Sequence, residues 1–193
     1  MLEYPLFPLH AVLFPGGSLE LRIFEPRYMD MVSRCLKGDS TFAVILIREG
    51  LETDPDARCY TVGTLARITD WNTLDGGLLG ISCSGTQRFR LQSQRTAADQ
   101  LRWGEITLLP AADRVEVPVK WLPLVDLLRE LVVRVGPGYK MESENYNDAT
   151  WVSCRLAELL PLDLTQRQLL LEIDDPVDRL EGIVQAIDGF EVA

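Results

Sequence analysis

Several residue types on which enzyme chemistry depends are scarce in this sequence. Its 193 residues include one histidine, His10, and three lysines, Lys37, Lys120 and Lys140. A nucleotide-binding P-loop ends in Gly-Lys-Ser/Thr, but the residues after these lysines are Gly, Trp and Met. The lysines therefore belong to no such loop. A Ser-His-Asp centre would have to use His10, which follows an apolar, proline-containing segment typical of a strand end.

Closely spaced metal ligands are missing as well. The four cysteines, Cys35, Cys59, Cys83 and Cys154, form no CxxC pair, and His10 has no cysteine near it in sequence. Structural zinc sites need such pairs. We therefore expect no metal and no other cofactor, and reduced, partly buried thiols of the kind found in cytosolic proteins. Sequence spacing leaves a Ser-Lys dyad or a pair of carboxylates open, but no motif indicates one, so we predict no catalytic residue.

Long apolar runs and excess positive charge are also absent. No run approaches the eighteen or so apolar residues of a membrane span, and the N-terminus lacks the basic start of a signal peptide. We therefore expect a soluble, cytoplasmic protein without a membrane partner. The formal net charge is -10. Nucleic-acid binding depends on clustered Lys and Arg that neutralise phosphates, so a nucleic-acid partner is not expected from this composition.

The first part of the chain has the pattern of strands and turns. Leu2 to Leu9 contains two prolines, which is typical of an edge or entry strand. The motif FPGG at Phe14 to Gly17 predicts a type II turn, and the alternating residues SLELRIF after it predict a strand. Glu25 and Pro26 have the residue types of a helix N-cap and first helical position, so one short helix is expected among the strands.

Further strands follow this helix. The continuous apolar run at Phe42 to Ile47 predicts a central strand buried on both faces. Asp75 and Gly76 lie where a hairpin turn is expected, and Gly85 suggests a bulge or bend. The last strand is expected at Leu101 to Leu109. Strands at this spacing predict a small curled sheet or a partly open barrel.

From Pro118 the apolar residues take a helical period, which indicates an α+β fold. Four helices are predicted: Trp121 to Val135, Asn147 or Asp148 to Leu160, one capped by a box of Thr165 and Gln168, and one capped by Asp175. The first of these is apolar around most of its circumference, so we expect other helices to cover it on several sides.

Seven segments together resemble the LON substrate-binding domain family, the N-terminal domain of the ATP-dependent protease Lon. They are PLFPL at 5–9, VLFPGG at 12–17, IFEPRY at 23–28, VGTLARI at 62–68, GTQRFRL at 85–91, WVSCRLAELLPL at 151–162 and LLLEIDDPVDRL at 169–180. The resemblance covers nearly the whole sequence. It does not extend to the family's ATPase and protease domains, nor to the zinc-binding cysteine pairs of the related cereblon-type proteins.

The resemblance implies a PUA-like β-pseudobarrel with one inserted helix, at 1–117, followed by a four-helix subdomain at 118–193. It also implies a non-catalytic module that binds unfolded or apolar polypeptide segments, as an adaptor or chaperone-like factor in protein turnover with a protease or chaperone as partner. We expect Phe14, Pro15, Gly16, Gly17 and Tyr28 to form the binding surface, because FPGG would expose an aromatic side chain on a tight turn.

Two other functions stay open on the sequence alone. PUA-like barrels also occur in RNA-binding proteins, and an RNA surface would then use Arg88, Arg90, Arg95 and Arg102. The net negative charge argues against this alternative. A small-molecule site in a cleft between the barrel and the helices is the third possibility.

Overall fold

The chain forms two compact units. The computed structural model of the protein describes residues 2–38, 41–54, 57–136, 139 and 144–188. The barrel unit comprises residues 1–110 and the helical unit residues 111–193. The boundary lies before the predicted one after residue 117, because the segment that ends there is hydrogen-bonded within the helical unit. The Ala149 N–H donates to the Val115 carbonyl (2.8 Å), and the Val117 N–H donates to the Asn147 carbonyl (3.2 Å).

Six strands of the barrel unit form one sheet. They are β1 (Leu2–Leu9), β2 (Ser18–Ile23), β3 (Thr41–Glu49), β4 (Arg58–Thr73), β5 (Leu79–Thr96) and β6 (Arg102–Leu108). Their order is β2-β5-β4-β3-β1-β6, and β5 also pairs with β6. This second pairing closes β5, β4, β3, β1 and β6 into a ring. The predicted barrel is thus observed, and β2 lies outside the ring.

One edge of β5 is shared by two strands. Residues 79–84 of β5 pair with β2, and residues 89–96 pair with β6, while β4 occupies the opposite edge of β5 from 79 to 90. Of the strands within the described residues, only β5 pairs with β2. β2 is therefore an edge strand attached to a closed barrel.

The expectation for the first strand was wrong in one respect. β1 is not at an edge, because it lies between β3 and β6 within the ring. Leu2 to Pro5 pair with β6, and Leu6 to Leu9 pair with β3 in parallel. Each half of β1 thus pairs on one side only, which tolerates residues that lack a backbone N–H. The prediction that Phe42 to Ile47 form a central buried strand is confirmed, since β3 lies between β1 and β4.

Two apolar clusters hold the barrel unit together. One takes residues from all five ring strands and fills the ring: Leu6, Ala43, Ile45, Leu65, Phe89 and Ile106. The other lies on the opposite face of the same strands, where helix α1 (Pro26–Lys37) packs through Tyr28, Met31, Val32 and Cys35. As predicted, Glu25 is the N-cap of α1 and Pro26 its first residue.

The helical unit contains α2 (Leu122–Val135), α3 (Ala149–Leu159), α4 (Leu164–Glu172) and α5 (Pro176–Asp188). The four predicted helices are thus found, and the α+β class is confirmed. α3 packs against each of the other three helices of the unit. Within the described residues, no helix combines the length and the apolar character that crossing a membrane requires.

Two details of the helical unit differ from prediction. Asp163, not Thr165, caps α4, and its capping box is completed by Gln166 rather than Gln168. The expectation that α2 is covered on several sides is wrong, because Val133 is 79% exposed. Only one face of α2 is buried, through Leu124, Val125 and Leu128.

Candidate functional site

The FPGG motif forms the predicted type II turn. The Gly17 N–H donates to the Phe14 carbonyl at 3.0 Å, and Gly16 has φ 71°, a left-handed conformation that favours glycine. The same glycines form a G1 bulge against β5. The Gly16 N–H donates to the Gly85 carbonyl, and the Gly85 N–H donates to the Gly17 carbonyl, both at 2.8 Å. The turn therefore fixes where β2 starts on β5.

Phe14 does not have the predicted exposure. Its side chain is 0% exposed, so it belongs to the core. The preceding Leu13 carbonyl accepts a buried hydrogen bond from the Thr64 hydroxyl at 2.6 Å, which holds the turn against β4. The expectation of an exposed aromatic was wrong because the turn points its aromatic side chain inward. Pro15 and Gly16 are half-buried and Gly17 is buried.

A cleft of about 350 Å³ lies along β2, and Tyr28 lines it. Of the five predicted site residues, only Tyr28 does so. Its ring stacks on Phe7 with 4.0 Å between ring centroids, and the Arg27 guanidinium lies 4.8 Å from the Tyr28 centroid. Burial raises the pKa of the Tyr28 hydroxyl above its usual value.

The rest of the cleft is mainly apolar and comes from three chain segments. These segments are the end of β1 with the residues after it, the whole stretch from Leu19 to Glu25, and the loop after β3. The apolar lining residues are Phe7, Leu9, Ala11, Leu19, Leu21, Ile23, Phe24 and Tyr28, and the polar ones are His10, Glu20, Arg22, Glu25, Glu52 and Thr53. An apolar cleft with a few polar groups is the usual form of a binding site.

Ion pairs and hydrogen bonds fix the rim of the cleft. Arg27 pairs with Glu25 at 2.8 Å and donates to the carbonyls of Gln100 (3.2 Å) and Glu52 (3.4 Å). The Glu52 carboxylate accepts the His10 backbone N–H at 2.9 Å. These contacts join the start of α1, the loop after β3 and the end of β1, so the walls of the cleft are held at set positions.

Two large apolar side chains, one in the cleft and one on β4, are exposed to solvent. Phe24 is 64% exposed and Trp71 is 57% exposed. Trp71 pairs across the sheet with Ile81, which in turn pairs with Leu21 in the cleft. Paired residues of neighbouring strands share a face of the sheet, so Leu21, Ile81 and Trp71 lie in one row. Ile81 is only 1% exposed, so a buried residue separates Leu21 from the exposed Trp71 in this row.

Sequence reasoning missed most of this cleft. The alternating residues SLELRI did indicate a strand with one apolar face, and that face carries Leu19, Leu21 and Ile23. What the sequence could not indicate is that this face stays partly open, because β2 pairs outside the closed ring.

Other residues of chemical interest lie apart from the cleft or are buried. Arg88 and Arg102, two of the four arginines of the RNA alternative, are 6% and 5% exposed. Arg102 donates to the carbonyls of Ala57 (2.7 Å) and Asp54 (2.9 Å), which is a structural role. The four cysteines are free thiols, three of them buried, and burial raises the pKa of Cys83 to about 12. Across the described ranges, no group of three His, Cys, Asp or Glu residues is placed to hold a metal ion.

Comparison with known proteins identifies the family. The model of the ATP-dependent protease La (LON) substrate-binding domain matches residues 3–189. The chain belongs to this family. The LON resemblance of the sequence motifs is thereby confirmed, and so is the predicted PUA-like fold. A solved structure of a Lon N-terminal domain protein from Xanthomonas campestris is 36% identical, has a TM-score of 0.81, and is matched over 96% of this chain and 98% of that one.

Curated relatives of this LON-domain chain are longer proteins. A Lon protease from Cytophaga hutchinsonii is 24% identical over 95% of this chain and 24% of the relative. Protein cereblon from Danio rerio is 30% identical over 55% of this chain and 25% of the relative. Each match thus covers about a quarter of the length of the relative, and the match with Lon protease covers the substrate-binding domain only.

Proposed function

We propose that this protein is a non-catalytic module that binds extended apolar segments of other polypeptides, and that it serves protein turnover as an adaptor or chaperone-like factor. The observation that carries this proposal is the apolar cleft beside β2 in a chain of the LON substrate-binding family. The relatives that match this chain include Lon proteases, so a protease or chaperone is the partner that we propose.

The cleft suits an apolar side chain of a flexible polypeptide. Leu21 and Phe24 offer apolar surface at its wall and rim, and Tyr28, whose ring stacks on Phe7, lines one side. Ordering a flexible polypeptide offsets much of the free energy gained by burying apolar surface. We therefore expect dissociation constants of about micromolar to millimolar and low selectivity.

The Phe14–Gly17 turn then acts indirectly. Its hydrogen bonds with Gly85 set the start of β2, and β2 supplies Leu19, Leu21 and Ile23 to the apolar wall. We propose that Tyr28 and β2 contact the bound polypeptide, and that the turn holds β2 in position. A cytoplasmic location stays a prediction from the sequence.

A titration with an unfolded model polypeptide tests the proposal. The full chain is titrated with reduced, carboxymethylated α-lactalbumin and followed by two-dimensional NMR, first as wild type and then as Phe24→Ser. Phe24 lines the cleft and is 64% exposed, so serine removes the contact with little loss of stability. Leu169→Ser is the matched control, because Leu169 is 58% exposed on α4 of the helical unit.

We expect saturable shifts for the wild type and for Leu169→Ser, and at least a fivefold weaker affinity for Phe24→Ser, about 1 kcal/mol. Absence of saturable shifts in the wild type at high polypeptide concentration contradicts the holding function. Equal binding by all three proteins contradicts the assignment to this cleft. ATP turnover or casein cleavage that tracks the pure protein and is lost in a point variant contradicts the non-catalytic role.

A further inference from the structure

The cleft runs along the outer edge of β2. Every residue from Leu19 to Glu25 lines it. Side chains of a strand alternate between the two faces of a sheet, so a cleft that touches consecutive residues lies at the strand's edge and not over one face. β5 occupies one edge of β2, and the cleft therefore lies at the other edge.

The direction of the β2 backbone groups follows from the bulge at its start. Because the Gly17 carbonyl accepts from Gly85, the antiparallel ladder continues with bonds between β5 and every second residue of β2. Those residues are Leu19, Leu21 and Ile23. The N–H and carbonyl groups of the intervening residues, from Ser18 to Arg22, point away from β5 and towards the outer edge.

The side chains of β2 add a pattern to this edge. Leu19, Leu21 and Ile23 share the apolar face that packs against the core cluster, while Glu20 and Arg22 lie on the other face. The Glu20 carboxylate accepts a hydrogen bond from the Ser82 hydroxyl at 2.8 Å, which keeps it on that face. A strand added beside β2, with apolar and charged residues in alternation, would place its apolar side chains next to the leucines on one face. On the other face it would place its charged side chains next to the opposite charges of Glu20 and Arg22.

We propose that the polypeptide bound by this protein pairs with the outer edge of β2 as an added strand. This inference rests on the proposed function and states its binding mode. The occupant is an extended segment of alternating pattern, with apolar side chains beside Leu19 and Leu21, a basic residue opposite Glu20, and an acidic residue opposite Arg22. Six residues span the strand, a length of about 20 Å. Main-chain hydrogen bonds supply affinity that tolerates many sequences, and the two charges supply preference.

N-methylated peptides test the strand pairing without changing a side chain. An eight-residue peptide that alternates Leu with Lys or Glu is prepared in three forms: unmodified, N-methylated at the Leu amides, and N-methylated at the charged-residue amides. In an added strand only alternate amides point to the protein. We therefore expect about a tenfold or greater loss of affinity for one methylated form and little change for the other. The form that loses affinity reveals whether the pairing is parallel or antiparallel.

Equal affinities of the two methylated forms overturn the strand pairing while the unmodified peptide still binds, and the proposed function then stands. If neither the unmodified peptide nor unfolded α-lactalbumin binds, both the strand pairing and the proposed function are contradicted. Because comparison within the peptide set uses wild-type protein only, misfolding of a variant does not affect the result.

Charge exchange tests the proposed pattern independently. Glu20→Lys should lower the affinity for the Lys-bearing peptide about threefold or more. A peptide with Glu in place of that Lys should bind the variant with the original affinity. Glu105→Lys on β6 is the matched control, because Glu105 also accepts a serine hydroxyl, that of Ser93, at 2.9 Å. Equal effects of the two protein variants, or no recovery with the exchanged peptide, contradict the assigned charge pairing.

Discussion

Replacing Gly85 by alanine would test the close backbone contact that anchors β2. A Cβ atom at this position would lie 2.2 Å from the Phe14 carbonyl oxygen and 3.0 Å from Leu13 Cγ. The nearest atom belongs to the backbone and not to a flexible side chain, so the turn and β5 must separate. That movement weakens the two hydrogen bonds that join Gly85 to Gly16 and Gly17.

The expected loss can be assembled from these terms. Overpacking costs about 1–3 kcal/mol, and each weakened backbone hydrogen bond contributes about 0.5–1.5 kcal/mol. We expect Gly85→Ala to lower the free energy of unfolding by about 2–6 kcal/mol. Gly76→Ala is the control. Gly76 lies at the hairpin tip with φ 79° and nothing within 4 Å of an added Cβ, so only the left-handed conformation resists alanine. For alanine, the left-handed conformation costs about 1–2 kcal/mol.

Urea denaturation followed by tryptophan fluorescence and far-UV circular dichroism measures both variants. Trp71 and Trp103 belong to the barrel unit and report on its unfolding. If Gly85→Ala costs no more than Gly76→Ala, the approach between the turn and β5 is not the constraint that makes residue 85 a glycine. Weaker binding of unfolded α-lactalbumin by folded Gly85→Ala would further link this contact to the cleft.

Two further predictions concern buried polar groups. Arg179 is 2% exposed and donates to the Leu170 carbonyl (2.9 Å) and the Ser153 hydroxyl (3.1 Å). Arg179→Met should therefore lower the free energy of unfolding by about 2–5 kcal/mol. A loss below about 1 kcal/mol in urea denaturation contradicts this prediction. Burial raises the pKa of the Tyr28 hydroxyl in the folded protein, so folding favours the neutral hydroxyl. The resulting contribution to the free energy of unfolding is fully present below pH 10.0 and is lost as the pH rises further. Wild type should therefore lose more stability than Tyr28→Phe between about pH 9 and about pH 11, and parallel stability curves refute this.

Local signals made much of the fold predictable. The hairpin at Asp75 and Gly76, the α1 start at Glu25, and the α3 and α5 caps at Asp148 and Asp175 all depend on residues within one turn of each other. Such features are fixed by the conformational preferences of a few neighbours. The α4 cap was harder, because two capping boxes overlap in this segment and each satisfies the same rule. Asp163 and Gln166 form the observed one.

The site was less predictable because exposure depends on distant pairing. Nothing near Phe14 in sequence indicates that its ring is buried. The hydrogen bonds that hold its turn come from strands about fifty to seventy residues away along the chain, from Thr64 on β4 and Gly85 on β5. For the same reason, the apolar face of Leu21 was recognisable while its openness was not. An alternating pattern predicts which residues share a face and leaves undetermined what covers that face.

The division of the β5 edge between β2 and β6 has a consequence for the motions of the native protein. The ring is closed through β5 and β6, so β2 can leave β5 without breaking a single pairing of the ring. A segment with this freedom opens at a lower free energy than the barrel as a whole. Amide hydrogens of Leu19, Leu21 and Ile23 should therefore exchange by local opening, while those of β3 exchange only when the barrel unfolds. Recognition in this protein would then rest on its most readily released strand, and occupation of the cleft would slow that release.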